Sequence, residues 1–146
     1  MILETTYNDK KQDELINDLV GKPFGLIKAF KMNGIGSKRM TVENVSSNMR
    51  NIINTVSDTT YANIELRPKG ILIRINKGLR NFTWVIPYYH LVIYKTNGSS
   101  IHAQGRFIHL KNDTTYRENK LFFKKLMDEK IAYDAQYDFT HANFQY

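Results

Sequence analysis

Apolar and polar residues recur with two different periods along the chain, and the change of period divides it. Over residues 9–20, Leu15, Ile16, Leu19 and Val20 share one helical face. Asn8 or Asp9 stands where a cap is needed, and Gly21 and Pro23 stop the run. Residues 24–32 suit either state: Leu26, Ile27 and Phe30 fit a short helix, whereas Pro23 and Asn33-Gly34 bound a strand equally well. Residues 33–37 read as a loop. Val42, Val45, Met49, Ile52, Ile53 and Val56 then return at helical spacing, which predicts a second helix from a Thr41 cap to Val56.

From Tyr61 the period becomes two. Ile64 and Leu66 alternate with Glu65 and Arg67, and Ile71, Ile73 and Ile75 with Leu72 and Arg74. Asn76-Lys77-Gly78 reads as a tight turn, and Phe82, Trp84 and Ile86 continue in a strand that Pro87 ends. Tyr88–Lys95 is a further strand, Asn97-Gly98 a second turn, and Ile101–Leu110 a last strand with Gly105 as a bulge. The connections are too short for crossover helices, so these five strands form an antiparallel meander. The helical period resumes after Asn112-Asp113. Thr115 and Glu118 fit a capping box, and Phe122, Phe123, Leu126, Met127 and Ile131 form an apolar stripe that covers one face or end of the sheet. Residues 132–146 hold Tyr133, Tyr137, Phe139, Phe144 and Tyr146 beside Asp134 and Asp138. That is too aromatic for a solvated tail, which implies packing.

The expected fold is therefore α+β: two N-terminal helices, an antiparallel sheet of about five strands, and a C-terminal helix packed on it. The 146 residues suit a single domain, mainly helical over 1–60, a sheet over 61–111, and helix with aromatic tail over 112–146. The longest apolar stretches fall far short of the roughly 20 residues of a membrane helix. Met1-Ile2-Leu3 meets Glu4 with no signal-peptide pattern, so the expected location is cytoplasmic. With no cysteine there is no disulfide frame, thiolate metal site or cysteine nucleophile.

Charge is distributed unevenly. The net +7 resolves into zero over residues 1–65, −1 over 112–146, and +8 over Leu66–Lys111, which has no carboxylate. Those eight cations are Arg67, Lys69, Arg74, Lys77, Arg80, Lys95, Arg106 and Lys111. One-signed charge on a sheet attracts anions, or simply solvates an outer face and discourages edge pairing. Arg67, Arg74 and Arg106 oppose the apolar phases of their strands and so are expected on an exposed face. Tyr88, Tyr94 and His90 share one phase, the better candidates for an exposed ring platform, while Trp84 and Phe107 fall in the core phase.

Several chemistries find little support. His102 and His109, seven apart, fall on opposite strand faces unless Gly105 bulges, and no Asp, Glu or Cys lies near to complete a metal shell. His90 has no local carboxylate to orient it as a base. Gly34-Ile35-Gly36 before Ser37-Lys38-Arg39 lacks the ending of a phosphate loop. Glu65-Leu66-Arg67 lacks the further carboxylates of a metal nuclease. No cofactor, metal or catalytic residue is expected.

Residues 64–75, then Phe82–Tyr88 with its Val85-Ile86-Pro87-Tyr88 segment, then strand, turn, strand and one amphipathic helix, resemble the second half of bacterial pleckstrin-homology-like domains over residues 61–131. The resemblance implies a barrel of seven strands plugged by a C-terminal helix, serving as a scaffold for lipids, peptides or assembly. The first 60 residues depart from it, offering helices where that family begins with strands.

The functional expectation is a non-enzymatic binding module that presents its basic sheet to an anionic or protein partner through Arg67, Lys69, Arg74, Lys77, Arg80, Lys95, Arg106, Tyr88, Tyr94 and His90. The alternative is a small nucleic-acid-binding protein using Arg67, Arg74 and Arg106 with Tyr88 and Tyr94. A membrane surface and a second copy of the chain are further candidate partners.

Overall fold

A computed structural model describes residues 1–53 and 59–142, with backbone alone for the last five of these. In chain order the elements are β1 (Ile2–Glu4), α1 (Lys10–Val20), α2 (Leu26–Lys31), β2 (Met40–Val45), β3 (Tyr61–Arg67), β4 (Gly70–Lys77), β5 (Arg80–Pro87), β6 (Val92–Lys95), β7 (Gly98–Ala103), β8 (Arg106–Lys111), α3 (Thr114–Arg117) and α4 (Lys120–Ala142). Short 3₁₀ helices cover Ser47–Ile52 and Tyr88–His90. The fold is α+β, and its antiparallel sheet has eight strands rather than five, in the order β1-β5-β4-β3-β2-β8-β7-β6, and is not closed.

The expected helix from Thr41 is the main correction. Met40–Val45 is a strand and Ser47–Ile52 a 3₁₀ helix; residues 54–56 of the expected helix lie outside the described residues. Two irregularities imitate the helical spacing. The register of β2 against β8 shifts between Val42 and Asn44, so Met40 and Val45 both face the core although their offset along the strand is odd. A 3₁₀ helix then brings Met49 and Ile52 onto one line, because its period is three. β-Branched Thr41 and Val42 suit the strand better than the helix.

Strand β2 also connects the sheet. Met40 and Thr41 pair with Ala62 and Tyr61 of β3, whereas Val42, Asn44 and Val45 pair with Leu110, His109 and Ile108 of β8. One meander, β2 to β5, and a second, β6 to β8, are thus joined through a single bent strand. Their inner faces enclose Ile64, Leu66, Ile71, Ile73, Ile75, Trp84, Ile86, Ile101, Ile108 and Leu110. Helix α4 adds Phe122, Phe123 and Leu126.

Leu72 and Val85 break the alternation of β4 and β5, and they are paired neighbours on the outer face. An apolar pair there needs a cover, which α1 supplies with Ile16 and Val20, forming a small second core. Helix α1 matches the predicted bounds: Asp9 accepts from the Lys11 amide at its start, and Gly21, at φ +87°, ends it. The ambiguous 24–32 segment contains the short helix α2. Strand β1 was not anticipated; it adds Ile2–Glu4 to the edge of β5.

Three further expectations change in detail. Gln104-Gly105 is a hairpin turn with φ +52° and +77°, not a bulge, so the last strand divides into β7 and β8. Asp113, rather than Thr115, caps α3, its carboxylate accepting from the Tyr116 amide. Ile131 of the expected apolar stripe is exposed, because past Leu126 the inward contact passes to Tyr133, whose ring meets Tyr88 at 5.4 Å. The side chains of Asp138, Phe139, Phe144 and Tyr146 lie outside the described residues. No helix among the described residues is long and apolar enough to cross a membrane.

Gly98 carries the tightest backbone contact of the hairpins. At φ +104°, an added Cβ would stand 2.1 Å from the Leu110 carbonyl oxygen. Gly98→Ala is expected to cost roughly 2–4 kcal/mol of folding stability through steric overlap and left-handed strain. Urea denaturation of both proteins measures it, and an unchanged midpoint would contradict the tight packing at this turn.

Candidate functional site

The eight sheet cations do not all stand on an exposed face. Arg67, expected on the exposed face, is 7% exposed because α1 lies over it. Its Nε donates to Glu65 Oε2 at 2.6 Å, and its Nη1 donates to Asn17 Oδ1 at 3.0 Å and the Gly21 carbonyl at 2.9 Å. Arg74 Nη1 donates to the other Glu65 oxygen at 2.9 Å. One carboxylate, a residue before the acid-free stretch, therefore serves both guanidiniums. Burial alone would raise the Glu65 pKa, but the hydrogen bonds from Arg67 and Arg74 outweigh it and hold the carboxyl below its usual 4.5.

Arg80 is likewise occupied. Its Nε and Nη2 donate to Glu4 at 3.0 and 2.9 Å, and the Arg80 and Thr6 hydrogen bonds take the Glu4 carboxyl down to about 2. Lys77 Nζ donates to the Asn51 carbonyl at 2.7 Å. Arg106 is half-buried, with Nε unpartnered among the described residues. Lys69 and Lys95 are exposed, and no side-chain partner is seen for either among the described residues. Glu65 and Glu4 thus answer three of the sheet cations, Arg67, Arg74 and Arg80.

The aromatic expectations divide too. After Pro87 the chain takes a 3₁₀ turn, not a strand, so Tyr88 and Leu91, three apart, point inward while Tyr89 and His90 point out. Tyr88 is fully buried, donates from its hydroxyl to the Arg67 carbonyl at 3.2 Å, and has its pKa raised by burial. It is a core residue, not part of an exposed platform. Trp84 is in the core as its phase predicts.

Rings gather instead on the outer face of β6, β7 and β8. Val92, His102 and Phe107 are neighbours across three strands, as are Tyr94, Ser100 and His109. Tyr94 meets the His102 ring edge-on at 4.9 Å, and His102 stacks on Phe107 at 5.3 Å. Phe107 is half-buried on this face, not in the core. His102 and His109 share the face because the turn at Gln104-Gly105 reverses the chain between them. Ser100 Oγ lies 2.8 Å from His102 Nε2, and His109 Nε2 lies 3.2 Å from Glu43 Oε2. Among the described residues no three His, Cys, Asp or Glu side chains gather to hold a metal.

Two clefts border these groups. One of about 290 Å³ is lined by His90, Val92, His102, Gln104, Arg106 and Phe107 at the hairpin end. The other, about 330 Å³, lies between α1 and the sheet over Arg67, Arg74, Asn63, Asn76 and Asp13. Strand β6 is an edge, with no strand on its outer side among the described residues, and Val92 and Tyr94 are 45 and 52% exposed. The ring cluster was missed in sequence because its members come from three strands. Glu65 was legible, since it shares the outward phase of Arg67 two residues on.

Because Glu4 and Glu65 titrate lower when folded, the unfolded chain binds more protons in acid. Stability is expected to be fullest above about pH 4.5 and to decline as pH falls toward about 2, the folded value of Glu4. Glu65→Gln leaves Arg67 buried without its counterion and should cost roughly 2–3 kcal/mol at neutral pH. Thermal melts of both proteins from pH 7 to 2 test this, the variant losing part of the acid sensitivity; equal curves would refute the role of Glu65. Compared with protein families, curated proteins and solved structures, the chain matches no family model, no curated protein and no solved structure.

Proposed function

We propose that this chain is a non-enzymatic interaction module of pleckstrin-homology-like build, and that an extended segment of a protein partner adds to the free edge of β6. The carrying observation is that edge: a strand end of the sheet whose Val92 and Tyr94 stand in water beside the cleft at His90, His102 and Phe107. An unpaired edge offers a row of backbone donors and acceptors, which give affinity, while alternate side chains and an adjoining cleft give selectivity. A short edge strand with exposed apolar side chains invites such pairing unless something covers it.

The build is supported by strand order. Met40–Val45 supplies the strand that the N-terminal part had not offered, so β2 to β8 make seven strands followed by a helix. Within that frame Leu26–Lys31, α1 and β1 are additions. The anion-binding alternative has less to draw on, since Arg67, Arg74 and Arg80 are committed to Glu65 and Glu4.

Panning a random-peptide display library with the full chain is expected to enrich extended peptides that shift the amide resonances of Val92–Lys95. A Val92→Glu/Tyr94→Glu variant should bind them at least about tenfold more weakly, by fluorescence titration, with its melting temperature kept. Peptides that perturb another surface would overturn the proposal. A parallel titration with mixed single-stranded DNA at two salt concentrations serves the alternative: steeply salt-dependent binding that the variant retains would favour it.

A further inference from the structure

A second apolar surface lies outside strands β2 to β8. On α2, Leu26, Ile27 and Phe30 are 91, 76 and 82% exposed. At 100° per residue they share an arc about 100° wide, so three large apolar side chains stand together in water. Such a cluster is uncommon on a soluble surface without a partner. Their exposure is built in. Phe24, Met32 and Ile35, on either side of α2, pack against the core, while Lys125 of α4 donates to the carbonyls of Asn33 at 3.2 Å and Gly34 at 2.9 Å. The ends of the segment are held down and its middle projects.

Along the chain, the charge flanking this projection has one sign. Between Asp18 and Glu43 the chain has no carboxylate and five basic residues, Lys22, Lys28, Lys31, Lys38 and Arg39. The four lysines are exposed and their amines have no partner among the described residues; Arg39 lies over the Tyr61 ring. Lys69 joins them, since its amide donates to the Val20 carbonyl at 2.8 Å, which sets the Pro68-Lys69 turn beside Lys22. Unlike Arg67, Arg74 and Arg80 of the sheet, these cations have no carboxylate partner among the described residues.

We propose that α2 is an interfacial anchor that seats this end of the molecule on an anionic bilayer. Leu26, Ile27 and Phe30 enter the boundary between headgroups and acyl chains, and Lys22, Lys28, Lys31 and Lys69 meet the lipid phosphates and carboxylates around them. Six residues make a helix about 9 Å long, too short for the four-anchor stripe that seats a helix in a protein groove. Interfacial helices bury only their apolar face, about 5–10 Å deep, so a short exposed helix with three large apolar side chains suffices. Basic clusters beside apolar side chains are attracted by the negative surface potential of anionic lipid, and that attraction falls with salt. The proposal makes no use of the β6 edge.

The test is co-sedimentation of the full chain with vesicles of phosphatidylcholine alone and of phosphatidylcholine with phosphatidylserine, at two salt concentrations. Binding is expected to the phosphatidylserine vesicles, weaker at high salt and far weaker to phosphatidylcholine alone. Leu26→Ser/Ile27→Ser/Phe30→Ser should bind at least about tenfold more weakly while its circular dichroism and melting temperature stay unchanged, because these side chains bury almost nothing in the fold. Should that variant fold poorly, Phe30→Trp serves instead, its emission shifting to the blue on addition of phosphatidylserine vesicles. The proposal is overturned if the native chain ignores these vesicles, if the triple variant binds as well as the native chain, or if the new tryptophan reports no change. It is equally overturned if the native chain is a dimer in sedimentation velocity that the triple variant renders monomeric, since a second copy would then cover the face.

Discussion

The fold depends on one bent strand. Residues 40–45 must pair with β3 at one end and β8 at the other, and without that shared strand the two meanders would be separate hairpin stacks with half a core each. The register shift between Val42 and Asn44 makes the sharing workable. It turns the strand so that Met40 faces the core beside β3 and Val45 faces it beside β8. The 3₁₀ helix that follows brings Met49 and Ile52 to the same core. Helix α4 then adds Phe122, Phe123 and Leu126 to the core that the two meanders share. Each meander gains its buried area only in the presence of the other, which is why the arrangement should fold cooperatively.

A second constraint sits on the outer face, where α1 crosses β3, β4 and β5. Covering Leu72 and Val85 with Ile16 and Val20 also covers Arg67. A guanidinium taken out of water needs its donors satisfied, and Glu65, Asn17 and the Gly21 carbonyl do so. The same carboxylate holds Arg74, so structural pairing uses the charge that a linear count assigns to ligand binding. What remains available for partners lies elsewhere: an aromatic and imidazole surface at the β6 edge, and a lysine-rich, apolar projection at α2. The two surfaces differ in chemistry, the first suited to backbone pairing and rings, the second to an anionic interface.

Local signals were read well where one residue decides one feature. Asp9 and Gly21 bound α1 as expected, and the Asn97-Gly98 turn sits where its residues demand. The turn expected at Asn76-Lys77-Gly78 falls at Gly78-Leu79, because Asn76 and Lys77 still pair in β4. The alternation of β3 survives because that strand is regular and half-buried, whereas β4 and β5 depart from it at Leu72 and Val85, which α1 covers. Errors fell where the period is broken. A bulge plus a 3₁₀ helix reproduced the spacing of an α-helix over Val42–Ile52, and a 3₁₀ turn moved Tyr88 inward out of its assumed strand phase. Summing charge over thirds of the chain also hid the acid-free stretch from Leu19 to Val42, whose five cations are balanced in the sum by carboxylates on either side.

Sequence alone determined the alternation that makes a sheet, the positions of α1 and the C-terminal helix, the main turns and the overall positive charge. These rest on neighbours within a few residues, where dihedral preference and side-chain spacing act directly. Tertiary structure alone decided that Met40–Val45 is a strand, that Arg67 is buried and answered by Glu65, and that Tyr94, His102 and Phe107 adjoin. It also decided that Leu26, Ile27 and Phe30, apolar enough for a core, are left in water. Pairing register and burial are set by contacts between residues far apart in sequence, and no local pattern carries that information.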